Sequence, residues 1–266
     1  MGQYIWSINS EEINEENEKE TNLKKEKKKI EKISFDYLIK KIKSNKYFKN
    51  KNFQPNKICK KCNINIISKQ MQNSNYNICR KCYLKEKEEN FANIKTMLNK
   101  QKELSFFGNE IITNKLFLGS IKDSFQKDNL KKLGITNILM VGYYLNEIYP
   151  NDFTYLNFEV DDNIKEDIFK YFLTGIKFIS KSQVCFVHCQ WGKSRSSSLV
   201  IAYVMYNLKM KYQDAFWYVK RKRNIIFPND GFEKQLENFD IVLHNYEYDI
   251  NKIELFFKEF YKGDLI

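Results

Sequence analysis

The chain of 266 residues holds only two histidines, His188 and His244. A mechanism that depends on a histidine base has few places to sit. Long apolar runs are also missing, since no stretch approaches the roughly 18 apolar residues that a membrane-spanning helix needs. The opening residues, MGQYIWSINSEE, lack the basic-then-apolar order of a secretory signal. These absences predict an intracellular protein, cytoplasmic or nuclear. No internal repeat is visible.

Cysteine is sparing too, with six in the chain. In a reducing compartment such thiols serve as metal ligands, nucleophile or core filler more readily than as disulfides. Charge is plentiful and lopsided: 45 Lys and Arg against 33 Asp and Glu give a formal net charge of +12. A cationic chain is drawn to phosphate groups, nucleic acid or anionic lipid, and charge alone does not choose among them.

The pattern along the chain predicts five segments. Residues 1–50 form a charged, low-complexity tail, with an acidic block (Glu11 to Glu20) ahead of a basic one (Lys24 to Lys32). Such blocks cannot bury enough apolar surface to fold alone. Within the tail, Phe35, Leu38, Ile39 and Ile42 recur at helical spacing behind Ser34, an N-cap residue type, and predict a short amphipathic helix. Residues 51–84 carry four cysteines in two pairs, 85–106 read as a charged, helix-compatible linker, 107–248 as a globular domain, and 249–266 as a C-terminal helix.

In the globular part, β-rich runs (KLFLGS from 115, ITNILMVG from 135, FTYLNFEV from 153, QVCFVH from 183) alternate with helical ones. The helical stretches fall at 164–180, 196–208, 212–223 and 230–246, the second apolar nearly all round as a helix buried beside a sheet would be. The alternation predicts an α/β fold with a mainly parallel central sheet flanked by helices.

One segment carries chemistry. In VCFVHCQWGKSRSSSLVIAYVM a buried strand ends at His188 and Cys189, a short turn follows, and a helix opens near Arg195. A turn between strand and helix points successive N–H groups inward, and the helix N-terminus adds positive potential at the same spot. Gln190, Trp191, Gly192, Lys193, Ser194 and Arg195 would form that phosphate loop, with Gly192 at the tight turn. The same donors lower a cysteine pKa from about 8.5 and make Cys189 a nucleophile at neutral pH. Arg195 offers a planar fork to two phosphate oxygens, which lysine cannot reproduce. Ser196 can donate to the sulfur when it departs. His188, as the strand neighbour of Cys189, points to the opposite face and is predicted to support the loop instead of acting as a base. Cys185 lies four residues before Cys189, about 13 Å on an extended strand, beyond disulfide reach, and reads as core.

His188 to Ser196, HCQWGKSRS, resembles the signature loop of the protein tyrosine phosphatases, and its Gly and Ser-Arg-Ser placement is similar to the dual-specificity branch. KLFLGSIKDS, LGITNILMVG and RNIIFPNDGFEKQLENF resemble further segments of that family in order and spacing, so the likeness covers residues 107–246. The resemblance implies a phosphotyrosine-phosphatase-like fold and hydrolysis of phosphotyrosine and phosphoserine or phosphothreonine through a phosphocysteine intermediate, with no catalytic cofactor. It also implies a general acid on a loop upstream of the cysteine, where EVDDNIKEDIFKYF fits. Asp161 and Asp162 both qualify. Counting back from Ile168 and the Tyr171, Phe172 pair matches the family's acid to Asp162, while Asp161 suits a helix cap.

Cys59 and Cys62 form one Cys-x-x-Cys knuckle and Cys79 and Cys82 another, sixteen residues apart, which is the spacing of a tetrahedral four-thiolate site for one structural zinc ion. Iron is the weaker alternative. The basic residues inside CKKC and CRKC would offset the charge of such a centre, and the segment should be unfolded without metal. The Asn-rich loop from Asn63 to Ile78 could touch protein or RNA. Gly2 raises myristoylation, yet that motif wants Ser or Thr at position six, where this chain has Trp6. Only with an acyl chain there would the basic block hold a membrane surface.

Three functions compete. The first is a protein phosphatase acting on a phosphorylated protein. The second is a phosphoinositide or other non-protein phosphatase, motivated by Lys193 within the loop. The third is a catalytically weak phosphate-binding scaffold that uses its zinc segment to bind a partner.

Overall fold

The computed structural model describes residues 37–44, 58–63, 78–99 and 108–262. The chain divides into two compact units, Met1–Asn45 and Lys46–Ile266. In the first, helix α1 spans 37–43, and Leu38 and Ile42, one turn apart, are its buried residues. Gly2, the acidic and basic blocks and the expected cap at Ser34 lie outside the described residues, as does most of the Asn-rich loop.

The second unit opens with the cysteine pairs and helix α2 (Arg80–Asn99). The sheet follows, with β1 (Asn109–Ile112) and β2 (Leu116–Ser120) ahead of two short helices, α3 (Ile121–Ser124) and α4 (Lys127–Lys132). Strands β3 (Asn137–Val141) and β4 (Thr154–Phe158) then lead to α5 (Phe169–Lys181), β5 (Cys185–Cys189) and α6 (Arg195–Leu208). Three helices close the chain: α7 (Tyr212–Lys222), α8 (Asp230–Asn245) and α9 (Ile250–Phe260).

Sheet order is β1-β2-β5-β3-β4, with β1 antiparallel to β2 and every other pairing parallel. Central β5 has parallel neighbours on both sides and all five of its residues are buried, as an apolar run covered on both faces should be. Edge strand β4 alternates less cleanly and leaves Thr154 exposed. The parallel strands meet the expected α/β architecture, and β5 delivers Cys189 to their C-terminal ends, beside Ser120 of β2.

Helix α6 is buried continuously from Ser196 to Met205, which fixes the helix whose N-terminus faces the turn after Cys189. On one side of it, Phe169 of α5 stacks on Phe257 of α9 with ring centroids 5.0 Å apart and meets Phe239 of α8 edge-on. Truncating a fully buried ring such as Phe169 to alanine costs about 3–5 kcal/mol. Among the described residues no helix is long and apolar enough to cross a membrane.

Three sequence boundaries move. The linker expected at 85–106 begins inside α2, because the chain from Arg80 runs through good helix formers with no Gly or Pro. The helix expected from 164 begins at Phe169. Its first free N–H groups, on Ile168 and Phe169, donate to the buried side chain of Gln235 at 2.9 Å each, so most of the cap comes from α8, and the local Asp167 accepts from the N–H of Lys170 at 3.3 Å. The C-terminal helix expected at 249–266 runs from Ile250 to Phe260 and packs on the main core through Phe256, Phe257 and Phe260.

Candidate active site

The turn between β5 and α6 is shaped by what grips it from outside. The carbonyl of Gln190 accepts from the N–H of Ile121, and those of Gly192 and Trp191 accept from Arg223 at 3.0 and 3.4 Å. The Lys193 carbonyl accepts from the N–H of Phe227 at 2.7 Å and from the Ser197 hydroxyl, and the Ser194 carbonyl from the N–H of Ser198. A peptide's N–H points opposite to its carbonyl. Tying five consecutive carbonyls outward therefore turns the N–H groups of Trp191 to Arg195 inward and makes an anion nest.

Cys189 lies at the base of that nest and is 1% exposed. Its Sγ accepts from the Gly192 N–H at 3.2 Å and from the Ser196 hydroxyl at 3.1 Å. Burial alone would push the thiol up, but the Arg195 charge, the Ser196 hydroxyl and nearby backbone N–H groups outweigh it and hold the pKa below the ordinary thiol value. Buried Cys185, on the same strand but without those donors, is pushed up to about 12.

Gly192 has φ +66, and a Cβ there would stand 2.3 Å from the Gly119 carbonyl oxygen. Only glycine fits this turn. His188 stacks on Phe186 at 5.4 Å, and its Nδ1 lies 3.3 Å from the Cys189 carbonyl oxygen. Burial lowers its pKa to about 4, so it supports the turn as a neutral ring.

Arg195 enters from the first turn of α6 and donates through Nη1 to the Val160 carbonyl at 3.3 Å. Its Nε is 3.7 Å from Asp162 Oδ2 and has no hydrogen-bond partner among the described residues, which leaves a donor for a phosphate oxygen. Asp162 is held at the mouth: its Oδ1 accepts from the Ser194 hydroxyl at 2.6 Å and from the Asn229 side-chain amide at 2.9 Å. Asp161 turns aside and accepts the N–H of Asp162 at 2.9 Å. A cavity of about 470 Å³ opens over Cys189, with Asp162, Lys193 and Arg195 in its lining and the exposed apolar side chains of Ile164, Trp191, Ile225 and Phe227 at its rim.

Sequence reasoning missed two residues of this site. Arg223, 5% exposed, braces the turn from behind and also donates to the Asn109 side chain at 2.7 Å. It stood within the quoted RNIIFPND segment, but its partners lie 31 to 114 residues away. Gly142 makes room for the arginine, because a Cβ there would sit 2.7 Å from Arg195 Nη1.

A second cluster lies apart from the turn. The sulfurs of Cys59, Cys62, Cys79 and Cys82 are all within 4.8 Å of one another, and those of Cys62 and Cys79 are 3.8 Å apart. A tetrahedral zinc with bonds of about 2.3 Å sets its sulfurs about 3.8 Å apart, so the four residues fit that ion.

A thiolate in an amide nest at the C-terminal end of a parallel strand, faced by arginine and carboxylate, places the chain in the protein tyrosine phosphatase superfamily. Residues 116–241 match the family described as "Dual specificity phosphatase, catalytic domain". The crystal structure of DUSP15 superposes with a TM-score of 0.50 at 30% identity, over 56% of this chain and 95% of that one. A probable rhodanese domain-containing dual specificity protein phosphatase of Dictyostelium discoideum is 35% identical over 50% of this chain and 29% of its own length. The human protein phosphatase Slingshot homolog 1 is 32% identical over 71% of this chain and 18% of its own. The chain thus spans under a third of the length of these two curated relatives. It belongs to the dual specificity phosphatase family.

Proposed function

We propose that the protein is a dual-specificity protein phosphatase whose catalytic residues are Cys189, Arg195, Asp162 and Ser196. The observation that carries this reading is the geometry at Cys189, whose buried Sγ accepts from the Gly192 N–H and the Ser196 hydroxyl at the base of the nest that Arg195 faces. The Cys189 thiolate attacks phosphorus, the bond to the leaving oxygen breaks, and Asp162 gives that oxygen its proton. Arg195 and the N–H groups of Trp191 to Arg195 bind the equatorial oxygens as their charge grows. Water then attacks the phosphocysteine, Asp162 takes a proton from it, and the sulfur–phosphorus bond breaks to release inorganic phosphate. The Ser196 hydroxyl stabilises the departing thiolate.

The rim supports a peptide over a phosphoinositide. Lys193 and Arg195 are offset by Asp162 and Asp230 in the cavity lining, so the site lacks the excess cation that a polyphosphorylated headgroup demands. The four exposed apolar side chains around it suit the flanks of a phosphorylated residue. The intact cysteine and arginine weigh against a catalytically weak scaffold. One structural zinc held by Cys59, Cys62, Cys79 and Cys82 completes the reading, and catalysis needs no metal. Tyr83, beside the cysteine cluster, packs on Tyr143 and Tyr144, which supports an intramolecular role for that face over an RNA or partner contact.

The test compares the full chain with its Cys189→Ser variant on phosphotyrosine, phosphoserine and phosphothreonine peptides and on phosphoinositides. Turnover of all three peptides, abolished by the substitution, is expected. Preference for the lipid, or hydrolysis that survives loss of the thiol, would overturn the assignment.

A further inference from the structure

The cysteine cluster reaches the segments around the active site mainly through Tyr83. Tyr83 follows Cys82 in the first turn of α2 and is 4% exposed. Its ring meets Tyr143 edge-on at 5.9 Å and Tyr144 at 5.1 Å, and its hydroxyl donates to Glu159 Oε1 at 2.9 Å. The other knuckle joins the same contact, because Lys61 pairs with Glu86 at 2.7 Å and Glu86 accepts from the Tyr144 hydroxyl at 2.9 Å.

These contacts fall where they bear on the chemistry. Arg195 is bracketed by two backbone segments. One is Gly142, close enough that a Cβ would strike the guanidinium, and the other is Val160, whose carbonyl accepts from it. The two segments are tied to each other by the Gly142 N–H donating to the Phe158 carbonyl at 2.8 Å. Gly142 runs directly into Tyr143 and Tyr144, and Val160 is preceded by Glu159. Tyr83 therefore touches both segments one or two residues from where they meet Arg195, and Asp162 lies two residues beyond Val160.

We propose that Tyr83 is a positioning residue that couples the folding of the four-cysteine segment, and hence its metal content, to the aim of Asp162 and Arg195. The inference rests on the phosphatase reading above and adds to it a control on the proton-transfer step. Misplacing a general acid affects leaving groups unequally. An acidic phenol departs without help, whereas phenol itself needs the proton, and a well-placed acid contributes about 10²- to 10⁴-fold. Partial misalignment should cost a fraction of that, about fivefold on phenyl phosphate, with little change on a strongly activated aryl phosphate.

The experiment uses the full chain and the variants Tyr83→Phe, Glu159→Ala and Asp162→Asn, each assayed for metal content. Readouts are kcat/KM over aryl phosphates of graded leaving-group acidity and hydrogen–deuterium exchange of residues 156–164. Tyr83→Phe and Glu159→Ala are expected to steepen the leaving-group dependence part of the way towards Asp162→Asn, and to raise exchange in that segment, while metal is retained. Removing the metal from the native chain with a chelator should reproduce both changes. If Tyr83→Phe loses its metal, Glu159→Ala, which leaves the knuckles untouched, decides the matter. An unchanged slope and unchanged exchange in a metal-loaded variant overturn the coupling. Absence of hydrolysis in the native chain, with exchange still raised by the substitutions, would instead sink the phosphatase reading and leave the mechanical link standing.

Discussion

Replacing Arg223 with methionine isolates the brace behind the phosphate turn, since methionine fills similar space without the fork of donors. Among the described residues the hydrogen bonds lost include those to Gly192 O at 3.0 Å, to Trp191 O at 3.4 Å and to Asn109 Oδ1 at 2.7 Å. The 3.4 Å contact is long and counts for little. The two shorter ones are charge-assisted, and each leaves a polar oxygen without its donor, which at about 1.5–3 kcal/mol apiece predicts a loss of roughly 3–6 kcal/mol in stability. A second effect should appear at the sulfur. Once the Gly192 carbonyl is released the peptide can rotate, and the N–H of Gly192 no longer stays fixed on Cys189. Removing the guanidinium also withdraws a cation from the thiolate's surroundings. The Cys189 pKa should therefore rise towards that of an ordinary thiol. Chemical denaturation measures the first effect, and the pH dependence of iodoacetamide alkylation measures the second. A variant that loses stability while alkylating with an unshifted pH profile would refute the argument that outward-held carbonyls set the thiol's ionisation.

Two other outcomes follow from the same geometry. In the native chain Cys189 should keep alkylating below the pH at which a free thiol slows, with the rate falling as acid protonates the thiolate, because its pKa is held below the ordinary value; vanadate should protect it. Gly142→Ala pushes a methyl against Arg195 Nη1, which starts 2.7 Å away. The guanidinium is the mobile end of a long side chain and should move, while the φ of +156 at Gly142, which residues with a side chain rarely adopt, adds backbone strain of about 1–3 kcal/mol. The expected result is about a tenfold loss of vanadate affinity, roughly 1.4 kcal/mol, together with a lowered melting temperature from the strained backbone.

How much of this was legible in the sequence depended on distance along the chain. The nest was readable because Cys189, Gly192, Arg195 and Ser196 lie within eight residues and strand, turn and helix fix their geometry locally. The parallel sheet was readable for a similar reason, as apolar strands alternate with amphipathic helices. The start of α5 was misplaced because its cap comes from Gln235, 66 residues on from Phe169. The two neighbouring aspartates were hard to separate, since only the folded chain brings Ser194 and Asn229 to Asp162 while Asp161 folds back on the backbone. Arg223, Gly142 and Tyr83 gave no local signal at all: each matters through a partner that is remote in sequence.

The bracing of Gln190 to Ser194 from outside has one more implication. Conformational freedom in that turn is surrendered when the protein folds, so a tetrahedral dianion meets a receptor already in shape and loses little affinity to ordering it. On the proposed function, a mould this stiff would select a tetrahedral dianion by size and charge and would not tell one phosphoester from another. Discrimination among target molecules must then reside in the softer margin formed by Ile164, Trp191, Ile225 and Phe227, where evolution can alter preference without disturbing the reaction.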